Sequence, residues 1–180
     1  MKNILITGGA GYIGSHVTEL LLKNKKKIFI VDNLSTGYKK LINKKTKFYK
    51  ADILETAKIK KIIINNKIDS VIHLAAALSV GESEKNPNKY YKINVKGTKK
   101  LLEALTGTSV KNIMFSSTCA VYKDGFPRVN EKTKVKPTSV YGKTKLEGEK
   151  LIQSFCKNHN INYGILRFFN VASVFNKIGQ

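Results

Sequence analysis

Tyr141 and Lys145 stand four residues apart in Tyr141-Gly142-Lys143-Thr144-Lys145, so a helix puts both side chains on one face. A phenol titrates at about pH 10 and is a poor base near neutrality. A nearby ammonium favours its phenolate and so turns it into a usable proton acceptor. Thr118 closes the polar end of the run Asn112-Ile113-Met114-Phe115-Ser116-Ser117-Thr118, and its hydroxyl can donate and accept while sharing a substrate proton. Taken alone, the pair also describes a surface tyrosine one turn before a lysine in a lysine-rich chain. Its placement decides between the two.

That placement follows from a second pattern. Ile4-Leu5-Ile6-Thr7 reads as a buried strand, Gly8 to Gly11 as a turn, and Tyr12 onward as a helix. Gly9, Gly11 and Gly14 fit G-x-G-x-x-G, and Gly8, Gly11 and Gly14 give a G-x-x-G-x-x-G reading of the same turn. Such spacing allows a tight turn, close approach of backbone to a pyrophosphate, and close packing of helix on strand. The helix start then presents N–H groups and the positive end of its dipole to the phosphates. Ile28-Phe29-Ile30-Val31 forms a second strand ending at Asp32, 18 residues after Gly14. There a dinucleotide-binding unit needs a carboxylate for the adenosine ribose. A carboxylate would repel a 2′-phosphate, which favours NAD over NADP. A nicotinamide ring, positively charged when oxidised, also favours the phenolate of Tyr141.

The elements that must hold these groups alternate. Helical spacing covers Tyr12 to about Leu22, and a third strand spans about Lys47 to Ala51, followed by Asp52-Ile53. A helix is expected from about Glu55 to Asn65, then strand four at Ser70–Leu74 with small residues Ala75, Ala76 and Ala77 after it. Small side chains there let a cofactor lie against the backbone at the carboxyl end of the sheet. Ser79–Ser83 reads as a loop, Asn88–Ala104 as one long helix containing Asn94, and Lys123–Thr138 as a second loop. Ser139–Asn158 is the helix carrying Tyr141 and Lys145, and Tyr163–Phe169 is strand six, ending at Asn170. The alternation predicts an α/β fold, a Rossmann doubly wound parallel sheet with helices on both faces. His16, His73 and His159 show no metal-ligand spacing, and each reads as a surface or satisfied core histidine; no metal site is expected.

A chain of 180 residues buries a core of its own. Cys119 and Cys156 lack metal or C-x-x-C spacing, and the first strand follows Met1 without room for a signal peptide. The expectation is a reduced, cytoplasmic protein with no membrane partner. The net charge of +21 raises the question of nucleic acid, but only Arg128 and Arg167 among 33 basic residues are arginines. The lysines are dispersed and no aromatic RNA-binding motif accompanies them, so a solvated lysine surface is expected and no specific nucleic-acid partner.

The chain resembles the extended short-chain dehydrogenase/reductase family, the NAD-dependent epimerases and dehydratases, and within it the UDP-glucose 4-epimerases. The likeness spans essentially all 180 residues. Its generic parts are T-G-G-A-G-Y-I-G, D-N-L-S-T-G and Y-G-K-T-K; closer to the epimerases are H-L-A-A-A-L-S-V-G-E-S, Y-Y-K-I-N-V-K-G-T, F-S-S-T-C-A-V-Y and R-F-F-N. Besides Gly8, Gly11 and Gly14, the resemblance assigns NAD contacts to Tyr12, Ile13, Asp32, Asn33, Leu34, Ser35, Thr36 and Gly37. It adds Asp52, Ile53, Leu74, Ala75, Ala76, Ala77, Leu78 and Asn94, with Tyr141, Lys145 and Phe169 at the nicotinamide end. Thr118, Tyr141 and Lys145 would be catalytic, and Thr118, Tyr141 and Asn170 would meet a UDP-sugar. The implied reaction interconverts UDP-galactose and UDP-glucose. Tyr141 removes the 4-hydroxyl proton as the C4 hydride passes to NAD, and the 4-keto sugar turns over and is reduced on its other face. Lys145 would hold the nicotinamide ribose and lower the tyrosine pKa. For the full-length form, the resemblance leaves room for a homodimer.

Departures from the pattern limit this reading. Val121-Tyr122-Lys123 replaces the usual V-Y-G, and Asn170-Val171-Ala172-Ser173-Val174-Phe175 lacks the expected glycine. Residues 1–170 read as the NAD-binding domain and 171–180 as the start of a smaller substrate domain that is otherwise largely absent. The expectation is the N-terminal portion of a longer product, or a truncated one. A 4,6-dehydratase would need an acid/base pair, commonly Asp-Glu, after the strand-five hydroxyl, where this chain has Cys119-Ala120. An NAD-binding fragment without independent turnover, or a related nucleotide-sugar epimerase or reductase, stays open.

Overall fold

The structure, a computed structural model, describes residues 2–123, 125 and 128–172. Six strands form one parallel sheet: β1 (Asn3–Thr7), β2 (Lys27–Asp32), β3 (Lys47–Lys50), β4 (Ser70–His73), β5 (Asn112–Thr118) and β6 (Asn162–Phe168). Their order is β3-β2-β1-β4-β5-β6. This is the Rossmann-like doubly wound sheet that the alternation of strands and helices predicts. Strand order reverses between β1 and β4, and such a switch point opens a crevice at the carboxyl ends of the strands.

Period-two alternation sends each strand's apolar residues to two different cores. Leu5, Phe29, Val31, Val71, Ile113 and Phe115 pack in the larger one. There they meet Ile59, Ile62 and Ile63 of α2 (Thr56–Asn65), Leu101, Leu102 and Leu105 of α5 (Gly97–Leu105), and Ile152 and Cys156 of α6 (Val140–His159). Ile4, Ile6, Ile28 and Ile30 face the other way, under Val17, Leu21 and Leu22 of α1 (Tyr12–Lys23). Each fully buried Ile or Leu side chain stabilises the fold by about 2 kcal/mol, so every slip in strand register would be costly. Helix α6 stops at Asn160, whose φ of 52° places it in the left-handed region that commonly ends helices.

Two expectations change. Val80–Lys85 is a short helix, α3, rather than loop: the Ser79 hydroxyl accepts from the Glu82 N–H at 3.2 Å and caps it. The helix expected over 88–104 is also not uniform. It begins as α4 (Pro87–Tyr90), with proline at its first position. It then widens into a π-helical stretch, Tyr91–Lys96, before tightening into α5. Gly97 lets this junction lie against Ile53, whose Cδ1 would stand 2.6 Å from an added Cβ. Among the described residues no helix is long and apolar enough to cross a membrane. The departure at Ser173-Val174-Phe175, and the expected segment from 173 on, lie outside the described residues.

Candidate active site

The glycine turn sits at the switch point. Gly8 has φ of +72°, and a Cβ there would come within 2.7 Å of Ala75 N at the end of β4. Gly14 presses on Gly8 O and lies 2.7 Å, by its absent Cβ, from Gly9 Cα. Helix α1 therefore starts directly against the turn. Its N-cap is Gly11, so no side chain caps the first turn, and Tyr12, Ile13 and Gly14 form the helix start. A helix N-terminus left uncapped beside a backbone stripped of Cβ atoms fits a pyrophosphate.

Asp32 ends β2 and is 9% exposed. Its carboxylate accepts from Ala10 N at 3.0 Å and Leu34 N at 2.8 Å, which fixes both oxygens beside the turn while leaving lone pairs for sugar hydroxyls. Gly37 lets the following loop fold back, since a Cβ would sit 2.9 Å from that of Ala10. Ser35 and Thr36 are exposed along this loop, whereas Leu34 takes φ of 61°. Asn33 donates to Asp52 Oδ2 at 2.8 Å and accepts from Ser35 N at 2.9 Å, tying the β2 and β3 ends together. Ile53 is buried, and Asp52 also accepts from Leu54 N.

Beyond β4, Leu74, Ala75, Ala76 and Ala77 are half-buried and Leu78 is exposed. Ala77 is held by Asn94, which accepts from its N–H at 2.8 Å and donates to its carbonyl at 3.1 Å. Asn94 also donates to Thr144 Oγ1 at 3.1 Å, and Thr144 donates to the Tyr141 carbonyl at 2.8 Å. Below them His73 is the satisfied core histidine expected. Thr98 Oγ1 lies 2.6 Å from the Asn94 carbonyl, which can only accept, so its proton goes there. The 3.0 Å contact between His73 Nε2 and Thr98 Oγ1 is then donated by the ring. That leaves Nδ1 to accept from Thr7 Oγ1 at 2.8 Å. Burial, reinforced by the charge of Lys145, holds His73 neutral, with its pKa lowered to about 3.

Helix α6 starts under a set of oxygens from elsewhere in the chain. Glu84 accepts from Val140 N at 2.7 Å and Ser83 from Tyr141 N at 3.0 Å, both from α3. Ser139 Oγ accepts from Gly142 N at 3.0 Å. Three orphan donors of the first turn are thereby satisfied. Tyr90, fully buried, meets the Tyr141 ring edge-on with centroids 6.5 Å apart.

The structure brings Thr118, Tyr141 and Lys145 into one region; all three are buried, at 7%, 9% and 3% exposure. Burial raises the Tyr141 pKa, opposed by its hydrogen bond with the Thr118 hydroxyl and helped by Cys119. The Lys145 ammonium lies 4.5 Å from the centroid of the Phe115 ring, and burial lowers its pKa to about 7 against an upward pull from Glu149.

Phe169 and Asn170 follow β6 and are exposed, with Phe169 at 62%. The sequence reading missed Ser83, Glu84, Phe115, Glu149 and Arg167. Only Glu149 carried a signal, standing one further turn along the Tyr141–Lys145 face.

Residues 4–179 match the family model described as NAD dependent epimerase/dehydratase family. A UDP-glucose 4-epimerase of Lactobacillus helveticus is 43% identical over 172 residues, covering 94% of this chain and 52% of the relative. UDP-arabinose 4-epimerase 1 of Arabidopsis thaliana is 39% identical, covering 95% of this chain and 43% of its own. The crystal structure of UDP-glucose 4-epimerase from Brucella ovis in complex with NAD superposes with a TM-score of 0.89 at 38% identity, over 94% of this chain and 52% of that one. The chain spans about half the length of the curated relatives it matches. The chain belongs to the NAD dependent epimerase/dehydratase family.

Proposed function

We propose that this chain binds NAD across the β1–β4 crevice and carries the proton-transfer group of a nucleotide-sugar 4-epimerase. The observation that supports it most directly is the glycine turn: Gly8 and Gly14 let the ends of β1 and β4 and the start of α1 lie against one another where no Cβ fits, beneath a helix start with no side-chain cap. Gly11, Tyr12 and Ile13 would face the pyrophosphate, Asp32 the adenosine ribose, and Asp52 and Ile53 the adenine. Ala75 to Leu78, with Asn94 behind them, would line the nicotinamide half, and Phe169 would close it. When bound, NAD supplies an acceptor, and later a donor, for the hydride at sugar C4.

The rest falls to the chain's own side chains. Tyr141 takes the proton of the C4 hydroxyl and returns it, with Thr118 hydrogen-bonded to the same oxygen. Lys145 holds the nicotinamide ribose and, in its charged form, favours the phenolate of Tyr141. Asn170 would meet the sugar nucleotide. Relatives named for UDP-glucose and UDP-arabinose leave the sugar open. Because the chain spans half of them, the uridine and phosphate contacts would come from elsewhere. An NAD-binding fragment without turnover is therefore the second reading.

NAD binding by calorimetry and conversion of UDP-galactose to UDP-glucose separate the two. Binding with conversion supports the epimerase; binding without it leaves only the fragment; no binding removes both. In any form that turns over, Tyr141→Phe is expected to lower kcat by about 100-fold or more while retaining NAD. Unchanged turnover would remove Tyr141 from the reaction.

A further inference from the structure

Beyond the groups already placed in the site, one buried ion pair ties its three elements together. Glu149 of α6 is 2% exposed, one turn past Lys145 on the same face. Its carboxylate accepts from Arg167 Nε at 2.9 Å and Nη2 at 2.7 Å, a two-pronged contact with β6. Ser117 Oγ, beside Thr118 on β5, donates to the same carboxylate. Arg167 Nη1 donates to the Tyr122 hydroxyl at 3.0 Å, and that hydroxyl donates to the Asn130 carbonyl at 3.0 Å. The roles proposed above for binding and proton transfer leave Glu149 without one.

Lys145 has few other ways to keep its charge. Its own helix contributes Tyr141 and Glu149, and Cys119 lies beyond Tyr141. β4 contributes neutral His73, β5 the uncharged Phe115 ring and Ser117, and β6 Arg167, whose charge is spent on Glu149. Gly148 makes room for that ring, since a Cβ would stand 2.8 Å from Phe115 Cζ. A buried ammonium over an aromatic ring gains less than full burial of a charge costs.

We propose that Glu149 is a positioning residue that holds Lys145 in its charged form, and that Ser117 and Arg167 exist to keep that carboxylate ionised and aimed. This rests on the role given to Lys145 above. An isolated buried carboxylate would protonate; the Arg167 Nε and Nη2 donors and the Ser117 hydroxyl prevent it. The upward pull of Glu149 on Lys145 and the raised pKa of Arg167 agree with the geometry.

The test reads Lys145 itself, without NAD or substrate, so it stands apart from the cofactor reading. In protein carrying 13C-labelled lysine, the Lys145 side-chain signal is the one lost in Lys145→Arg, and its midpoint is followed by NMR titration. Glu149→Gln is expected to lower the midpoint by about one pH unit, a tenfold loss of proton affinity. Arg167→Lys keeps a cation beside Glu149 but loses the fork; it is expected to lower thermal stability while leaving the midpoint within a few tenths. An unchanged midpoint in Glu149→Gln, or an equal displacement in Arg167→Lys, overturns the proposal. If Glu149→Gln does not fold, the pair is removed together in Glu149→Gln/Arg167→Met. In that double variant the loss of the cation offsets the loss of the carboxylate, so the midpoint must lie below that of Arg167→Met, the latter raised by removal of the cation alone; a midpoint in the double variant equal to that of Arg167→Met overturns the proposal equally.

Discussion

Helix α1 begins at Gly11, which has no side chain with which to cap it, whereas α6 begins under Glu84, Ser83 and Ser139. Both helices run from the carboxyl end of the sheet, and both starts face the same crevice. At α1 no side chain caps the first turn, and the positive end of the dipole stays available for an anion. At α6 the donors are used internally, and the second residue of the helix, Tyr141, is held by its own N–H and by the edge of Tyr90. One start is kept for a ligand and the other for placing a side chain. The same backbone problem has two solutions because the two helices need different things at their first turn.

His73 joins these starts, through Thr7 and Ala75 on the side of the α1 turn and through Thr98 and Asn94 toward α6. Protonating it would place a charge between them, and this is the largest effect expected. Its folded pKa, about 3, lies below the unfolded value of 6.5. The unfolded chain therefore binds the proton first, and the stability contributed by neutral His73 is present above pH 6.5 and lost as pH falls toward 3. The loss amounts to several kcal/mol in order of magnitude. Urea unfolding at stepped pH is expected to show stability declining over that window. A His73 ring proton titrating near pH 6.5 in folded protein would break the link between the two starts.

Gly11→Asp exchanges one solution for the other. Gly11 is extended, with φ of −84° and ψ of 175°, and an added Cβ meets only Gly8 O at 3.3 Å. An aspartate there caps α1, raising apo stability by a few tenths of a kcal/mol. It also sets a negative charge where the pyrophosphate would lie, so NAD affinity is expected to fall tenfold or more in calorimetry. Binding that survives unchanged would show that the anion is not held at this start.

Ser83→Ala does the converse at α6, leaving the Tyr141 N–H without its partner. A cost of about 1 kcal/mol is expected in denaturant unfolding, with NAD affinity within about twofold of the parent. A tenfold loss of NAD affinity would mean that the two starts are not independent.

The α1 start was legible because it is local: a glycine spacing, an apolar run before it and Asp32 after it all lie within one stretch of chain. The strand and helix bounds were legible for the same reason, through periodicity. The α6 start was legible only in its local part, the helix expected from Ser139, which caps it. The other two oxygens over its first turn come from Ser83 and Glu84, more than fifty residues away, in a stretch that reads as loop because six residues are too few to show helical periodicity. Lys145 was found but its surroundings were not. The Phe115 ring reaches it, and the Arg167 fork reaches Glu149 one turn along, only through the β5–β6 register, which pairs Phe115 with Ile165 and Ser117 with Arg167. Residues that act by capping or by charge across the sheet leave no spacing to read.

The π-helical stretch Tyr91–Lys96 has a consequence of an evolutionary kind. Each residue turns a helix by about 100°, and a π turn carries one more residue than the α-helix it interrupts. Deleting one residue there would restore regular hydrogen bonding and yield a more stable helix, but would swing Asn94 away from Ala77 and Thr144 while Thr98 kept its place on His73. The surplus residue is thus the kind of feature that selection for stability alone would erase. Its presence trades helix stability for the aim of one amide, that of Asn94 at Ala77 and Thr144.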